Sequence, residues 1–424
     1  LYYGHKVIQL NYTYENKTDF NHFLKENGVS SSSHKILIQM FTSILDEEKV
    51  KKQVKKILKI LPNATLIGTS TAGEIIDGNM KEESSALSIS IFEKTSIKST
   101  YLIGEDSYDL GVKIASKLSS SDTKCIITYS DGIIHNGDDY LHGINSSLGK
   151  DIVVAGGMAG DLYNFAKTFT IYQDKVFSGG AVAVSLCGED LEVYQDYNLG
   201  WRAVGPVFKI SKSEKNRVYE IDNTPVLEVY KDILGEEIVA DFPVSAVEFP
   251  LIKKEKDTLI ARSMIAKLDD GSILYAGDLN EGDEVQFGVG SSHLVNMYEP
   301  MDNKKLSSNQ IQAAFIYSCA GRKRFLGSSL EKGFKKLNSI APTAGFFTYG
   351  EFYSSDNNVM LLNITTTVLL LNEKGTKKRA VEIETVKDKT IEKSLTEDAT
   401  FNLVDYMAKK LQENETKLLA TKTS

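Results

Sequence analysis

The stretch AAFIYSCAGRKRFLGSSLEKGFKKLNSIAPTAGFFTYGEFY, from Ala313 to Tyr353, decides how the chain is read. An apolar run, Phe315 to Ser318, ends in a dense polar turn of Ser318, Cys319, Gly321 and Arg322. A helix-length segment follows, with Leu326, Leu330, Phe334 and Leu337 on one face. The chain then returns through TAGFFT into a second turn that ends in Gly350 and Glu351. If the two strands are parallel neighbours, a right-handed crossover joins them and both turns emerge at one sheet edge.

The same plan occurs twice earlier. KILIQMFTS and GTSTAGEI flank a helix in which Val50, Val54, Ile57, Leu58 and Leu61 recur at helical spacing. Its lysines fill the opposite face, and Asp46, Glu47 and Glu48 sit where the helix dipole favours carboxylates. CIITYSDG and VVAGGMAGD flank a second helix carrying Leu141, Ile144 and Leu148. Alternating strands follow each pair, with a hairpin turn at Asp174-Lys175 and a bulge or close approach at Gly179-Gly180. The expected fold is α/β (mixed α+β) and two-lobed, with mixed β-sheets flanked by helices and repeated strand-helix-strand-hairpin units.

A chain of 424 residues exceeds one growing core. Composition changes between residues 187 and 205 and a boundary is expected between 187 and 210, so we expect one domain over residues 1–200 and another over 201–372. Residues 373–424 read as a linker and a terminal amphipathic helix. There Phe401, Val404, Ala408, Leu411 and Leu418 form a heptad-like seam, suited either to packing on its own domain or to a homodimeric connector. The chain opens on Leu1 rather than methionine and stops inside a charged pattern, so a longer protein is expected.

Net charge is −8 and the lysines are interspersed with acids, which argues against a nucleic-acid partner. Cys125, Cys187 and Cys319 have no CxxC spacing and cannot supply a disulfide framework, which points to a reducing, cytoplasmic setting. The longest apolar stretch, residues 359–371, is too short and too polar for a membrane segment. No histidine falls in an HExxH, zinc or c-type haem spacing, so neither metal nor cofactor is expected. A single axial histidine for non-covalent haem has no spacing signature, and His135 and His293 are the two to inspect for it.

The turns supply the candidate ligand-binding residues: Ser70, Glu74, Asp161, Cys319, Arg322, Tyr349 and Glu351. Arg322 could clamp a ligand carboxylate while Glu351 takes an ammonium, a zwitterion site; alternatively the two form a structural ion pair. Asp161 is read as the second-repeat counterpart of Glu74, and a turn cap is the alternative role for each. Gly68, Gly73, Gly160, Gly321 and Gly350 are read as structural turn positions. The run GTSTAGEI is no phosphate loop, because it lacks the GK[ST] ending. Cys319 has no histidine near it in sequence, and an enzyme is not expected.

SCAGRKRFLG, PTAGFFTYGEFY and NITTTVLLLN resemble the carboxy-terminal half of the FIST family, the F-box and intracellular signal transduction sensory domains. GTSTAGEI, YSDG and GGMAGD resemble its amino-terminal half, and GWRAVGPVFKI with NTPVLEVYKDILG resembles the start of the second half. The likeness runs from about Ser33 to Asn372. It implies a bacterial sensory input domain that binds a small ligand, such as an amino acid. The implied partner is a histidine kinase, a cyclic-dinucleotide enzyme or a chemotaxis output module, in cis or in trans. Some family members are haem proteins that sense nitric oxide, which supplies the alternative function. Motif positions carried over are Cys319, Gly321, Arg322, Gly350 and Glu351 in one half, and Ser70, Gly73, Glu74, Gly160 and Asp161 in the other.

Overall fold

The structure, a computed structural model, describes residues 7–29, 35–290 and 311–374. His293, the linker from residue 375 and the terminal helix expected at 400–420 lie outside the described residues.

The first repeat comprises β1 (Ile8–Thr13), α1 (Lys17–Glu26), β2 (Lys35–Thr42), α2 (Glu47–Ile60) and β3 (Thr65–Ser70), then the short hairpin β4 (Glu74–Ile76) and β5 (Asn79–Lys81), and β6 (Ser85–Phe92). The helical periodicity of α2 places Val50, Val54 and Ile57 in one core with Ile36, Ile38 and Met40 of β2. Asp46 caps the helix, its carboxylate accepting from the Lys49 N–H at 3.0 Å. The second repeat has the same order: β7 (Ser96–Ile103), α3 (Ser107–Leu118), β8 (Thr123–Ser130), α4 (Gly137–Ser147), β9 (Val153–Met158), the hairpin β10 (Thr170–Tyr172) and β11 (Lys175–Phe177), and β12 (Gly180–Cys187). The third opens with β13 (Leu191–Asn198) and is then interrupted.

The interruption is a compact unit of its own, Leu199 to Gly290 among the described residues. It holds β14 (Trp201–Glu214), β15 (Arg217–Ile221), β16 (Thr224–Pro225), α5 (Val226–Leu234), α6 (Glu236–Ala240), β17 (Leu251–Glu255), β18 (Thr258–Arg262), β19 (Met264–Lys267), β20 (Ile273–Tyr275) and β21 (Glu284–Gly290). These strands make one sheet in the order β18-β17-β21-β14-β15-β20-β19, with β16 on β15. Its core gathers Ile221, Tyr230, Tyr275 and Phe287.

The third repeat resumes with β22 (Ala313–Cys319), α7 (Ala320–Leu326), α8 (Leu330–Asn338), β23 (Thr343–Thr348), the hairpin β24 (Glu351–Ser355) and β25 (Asn358–Leu362), and β26 (Thr366–Glu373). The sequence reading assigns this block to residues 201–372; in the structure it belongs to the same compact unit as the first two repeats. The reason is an exchange of hairpins. Each repeat pairs its two main strands in parallel, β2 with β3, β8 with β9 and β22 with β23. Each then sends its hairpin to another repeat: β4 pairs with β23, β24 with β9, and β10 with β3. Three six-stranded mixed sheets of equivalent order result, β1-β6-β2-β3-β10-β11, β7-β12-β8-β9-β24-β25 and β13-β26-β22-β23-β4-β5. Their shared interior is apolar and aromatic, with Phe41, Tyr129, Tyr317 and Phe346 in mutual ring contact.

Candidate functional site

The points where each chain leaves one sheet for the next lie together. After β3 the segment Thr71-Ala72-Gly73 crosses to the third sheet, the Ala72 N–H donating to Phe347 O (2.9 Å) and the Phe347 N–H to Gly73 O (2.8 Å). After β23 the crossing repeats: Tyr349 N–H to Met158 O (3.2 Å), Met158 N–H to Gly350 O (2.8 Å). After β9 the Gly160 N–H donates to Ser70 O (3.0 Å). Side chains tie the crossings further. The Lys323 ammonium donates to Ala72 O (2.6 Å) and pairs with Glu82, and the Tyr163 hydroxyl donates to Ala320 O (2.9 Å).

Thr-x-Gly-Glu stands at two of these crossings with the same wiring. In the first repeat the Thr71 hydroxyl donates to Glu74 at 2.7 Å and accepts from the Gly73 N–H at 3.1 Å. In the third, the Thr348 hydroxyl donates to Glu351 at 2.6 Å and accepts from the Gly350 N–H at 3.0 Å. Gly73 is required: its φ of +129° lies in the left-handed region, and a Cβ there would stand 2.5 Å from Lys323 Nζ. Ser43 and Ser84 complete the donors to Glu74, and Thr365 those to Glu351. Both acids are fully buried. Burial pushes the Glu74 carboxyl up to about 7 and the Glu351 carboxyl up to about 8, against the pull of their hydroxyl donors.

The second repeat departs from this plan and corrects one sequence expectation. The Thr71 N–H donates to Thr42 O and the Ala159 N–H to Ser130 O, so Ala159 is the counterpart of Thr71. Counting on from there, Asp161 stands where Gly73 stands, and Leu162 where Glu74 stands. Asp161 serves its own loop. Its carboxylate accepts from the N–H groups of Phe165 (2.9 Å), Ala166 (2.8 Å) and Lys167 (3.0 Å) and from the Tyr349 hydroxyl. The loop is strained: Leu162, Tyr163 and Phe165 have φ of 54°, 65° and 49°, which bulky side chains rarely adopt. Phe165 is 52% exposed and stacks on Tyr349, with centroids 4.7 Å apart.

The sequence reading puts Arg322 in a turn; it lies in helix α7, almost fully buried. Its guanidinium donates to Asn198 O (3.2 Å), Asn198 Oδ1 (3.0 Å) and Ile364 O (3.2 Å). Burial lowers it to about 10 while the charge of Glu351 opposes the shift through space. Gly321 sits in the first turn of the same helix. Cys319 is buried, and burial first, then Glu351, raises its thiol to about 12, so it stays protonated and weakly nucleophilic. Ser70 accepts from the Phe169 N–H (3.0 Å) and anchors β10. Gly68 is needed inside β3, where a Cβ would lie 2.4 Å from Met40 O; at Gly160 a Cβ would lie 2.7 Å from Ala72 N.

Sequence reasoning missed Asp131. Wholly buried at the end of β8, it accepts from the Thr168 hydroxyl (2.7 Å) and the N–H groups of Ile133 (2.9 Å), Ile134 (3.0 Å) and Gly179 (2.9 Å). Asp-Gly in YSDG reads as turn punctuation; the signal that could have found it is its position matching Cys319. Lys323 and Tyr163 were missed too. His135 donates through Nε2 to Gly104 O at 2.9 Å. Among the described residues no cluster of His, Cys, Asp and Glu could hold a metal, and no helix is long and apolar enough to cross a membrane.

The FIST N domain model matches residues 36–224 and the FIST C domain model residues 227–354. The chain belongs to the FIST family. FIST domains are sensory domains of signal transduction. An uncharacterised protein of Methanocaldococcus jannaschii is 27% identical over 213 residues, covering 47% of this chain and 41% of that protein, so the chain spans less than half of that curated relative. A solved cyanuric acid hydrolase from A. caulinodans aligns over 87% of this FIST chain and 99% of its own, at 7% identity and a TM-score of 0.35.

Proposed function

We propose that this chain is the sensory input module of a signal-transduction protein. In this reading it binds a small polar ligand, an amino acid or a close relative, where the three crossings meet, and catalyses no reaction. The observation that carries it is the strained loop from Leu162 to Lys167. Each left-handed bulky residue costs on the order of 1–3 kcal/mol, and Asp161 with Tyr349 retains the loop. In this reading the loop has a second arrangement, and a ligand shifts the balance only through unequal affinity for the two. A zwitterion suits the groups present: its ammonium would meet Asp161 and the Tyr349 phenol. Its carboxylate would take the N–H groups of residues 165–167 that Asp161 then releases. Family membership supports the sensory role. The cytoplasmic setting, the kinase, cyclic-dinucleotide or chemotaxis output, and dimerisation through the terminal segment belong to the same proposal.

Thermal shift of the whole chain against a panel of amino acids and small carboxylates tests it. At least one ligand should raise the melting temperature, and Phe165→Ala should lose that response while melting normally without ligand. A panel without effect, or a response unchanged by Phe165→Ala, refutes the site. A Soret band in the purified protein would instead favour a haem-bound gas sensor.

A further inference from the structure

The buried Asp131 carboxylate fixes the backbone after β8 so that two isoleucines point into water: Ile134 is 51% exposed and Ile133 38%. The neighbouring end of β7 adds Ile103, 62% exposed, and the first turn of α3 adds Tyr108, 48% exposed. The segments are stitched together. The Gly104 N–H donates to Gly179 O (2.9 Å), His135 Nε2 to Gly104 O (2.9 Å), and the Asn136 N–H to the Ser107 hydroxyl (3.0 Å). Gly179, whose φ of +67° favours glycine, lies beside Ile134: a Cβ there would make ordinary contact with Ile134 Cδ1, at 3.5 Å. Single exposed apolar residues are ordinary; four on adjoining segments, two of them held out by a four-bonded buried carboxylate, form a built face.

The charges around the face select its occupant. Glu105 and Asp106 are exposed between Ile103 and Tyr108, and Asp109 follows one residue on. Lys113, the base in this stretch, is paired with Asp109. An acidic rim repels a nucleic acid, an anionic lipid surface and a second copy of the same rim. We infer that this face docks an amphipathic helix of a partner protein, its apolar stripe flanked by lysine or arginine. Ile103, Ile133, Ile134 and Tyr108 receive the apolar side chains, and Glu105 meets the bases.

The test uses the whole chain and a fluorescent leucine-lysine peptide of about five helical turns, with leucines on one face, followed by anisotropy. A peptide of equal composition with its leucines distributed around the helix is the control. Wild type should bind the first peptide at least about tenfold more tightly than the second, Ile103→Asp with Ile134→Asp should remove that preference, and Glu105→Lys should weaken binding severalfold. Melting curves should be unchanged, since each substituted side chain is exposed. Equal binding of both peptides, or binding indifferent to the isoleucines, overturns the proposal. So does a wild-type dimer in light scattering that Ile134→Asp dissociates, which would make a second copy the occupant.

Discussion

The first and third repeats close their crossings with glutamates held by hydroxyls, whereas the second closes its own with aspartates held mainly by backbone N–H groups. The difference is chemical. A hydroxyl can rotate to donate or accept, so Glu74 and Glu351 find partners whether or not they carry a proton. An N–H can only donate, so losing the acceptor at Asp131 or Asp161 leaves N–H groups of its loop unsatisfied. Two repeats therefore use their acid as neutral-leaning packing between sheets. The second uses its acids to organise exposed backbone, and the strained loop and the exposed isoleucines both belong to it.

The largest expected effect breaks the comparison most directly. Asp161→Ala leaves three N–H groups and the Tyr349 hydroxyl without their acceptor, and should cost at least about 3 kcal/mol in urea unfolding. The Thr348 and Thr365 hydroxyls donate to different oxygens of Glu351; Glu351→Gln keeps an acceptor for one and lets its amide donate to the other hydroxyl, so it should cost less. If the two substitutions cost the same, the division between loop-organising and packing acids fails. Arg322→Ala comes next. Removing a buried guanidinium bonded to Asn198 and Ile364 should cost about 2–4 kcal/mol. A ligand clamp facing a site would melt nearly unchanged, so a melting temperature within a degree of wild type would restore that role.

The strand-helix-strand blocks were legible because burial writes itself into apolar runs and helical spacing. The exchange of hairpins was not. An alternating pattern records that a strand such as Glu74–Ile76 is buried, and not which sheet it joins. For the same reason the third block looked like part of a separate domain, although β4 and β13 complete its sheet. Glu74 and Glu351 stand out as acids after glycine, yet Ser43, Ser84 and Thr365 reach them from just beyond the ends of other strands. Arg322 misled because Gly321 beside it reads as a turn, while the local backbone is helical. Asp161 looked equivalent to Glu74 because each follows glycine, and only the backbone pairing reveals the one-residue offset.

The pH dependence follows from the two raised carboxyls. Each loses its proton near the ordinary value of 4.5 when unfolded and near 7 or 8 when folded. Across that interval the folded state binds more protons, so stability falls as pH rises. The protein should therefore resist urea better near pH 5 than near pH 8, by an amount on the order of 1–3 kcal/mol. The double variant Glu74→Gln with Glu351→Gln should flatten that slope. A slope that the double variant leaves unchanged would mean that these acids are charged in the folded protein.

The smallest effect concerns one hydroxyl per repeat. Thr42 and Ser318 occupy matching places and each bonds a hydroxyl on the returning strand, Ser85 at 2.9 Å and Thr366 at 2.8 Å. Ser130 is their counterpart, but Ala181 faces it across the ladder and its buried Oγ has no partner among the described residues. Ser318→Ala should therefore cost about 1 kcal/mol, because Thr366 loses its bond. Ser130→Ala should fall within about 0.5 kcal/mol of wild type, or stabilise slightly, because it removes an unsatisfied buried group. Chemical denaturation of the two alanine variants side by side resolves that gap. Equal costs would mean that the second repeat satisfies Ser130 after all, and that its interior is as fully bonded as the other two.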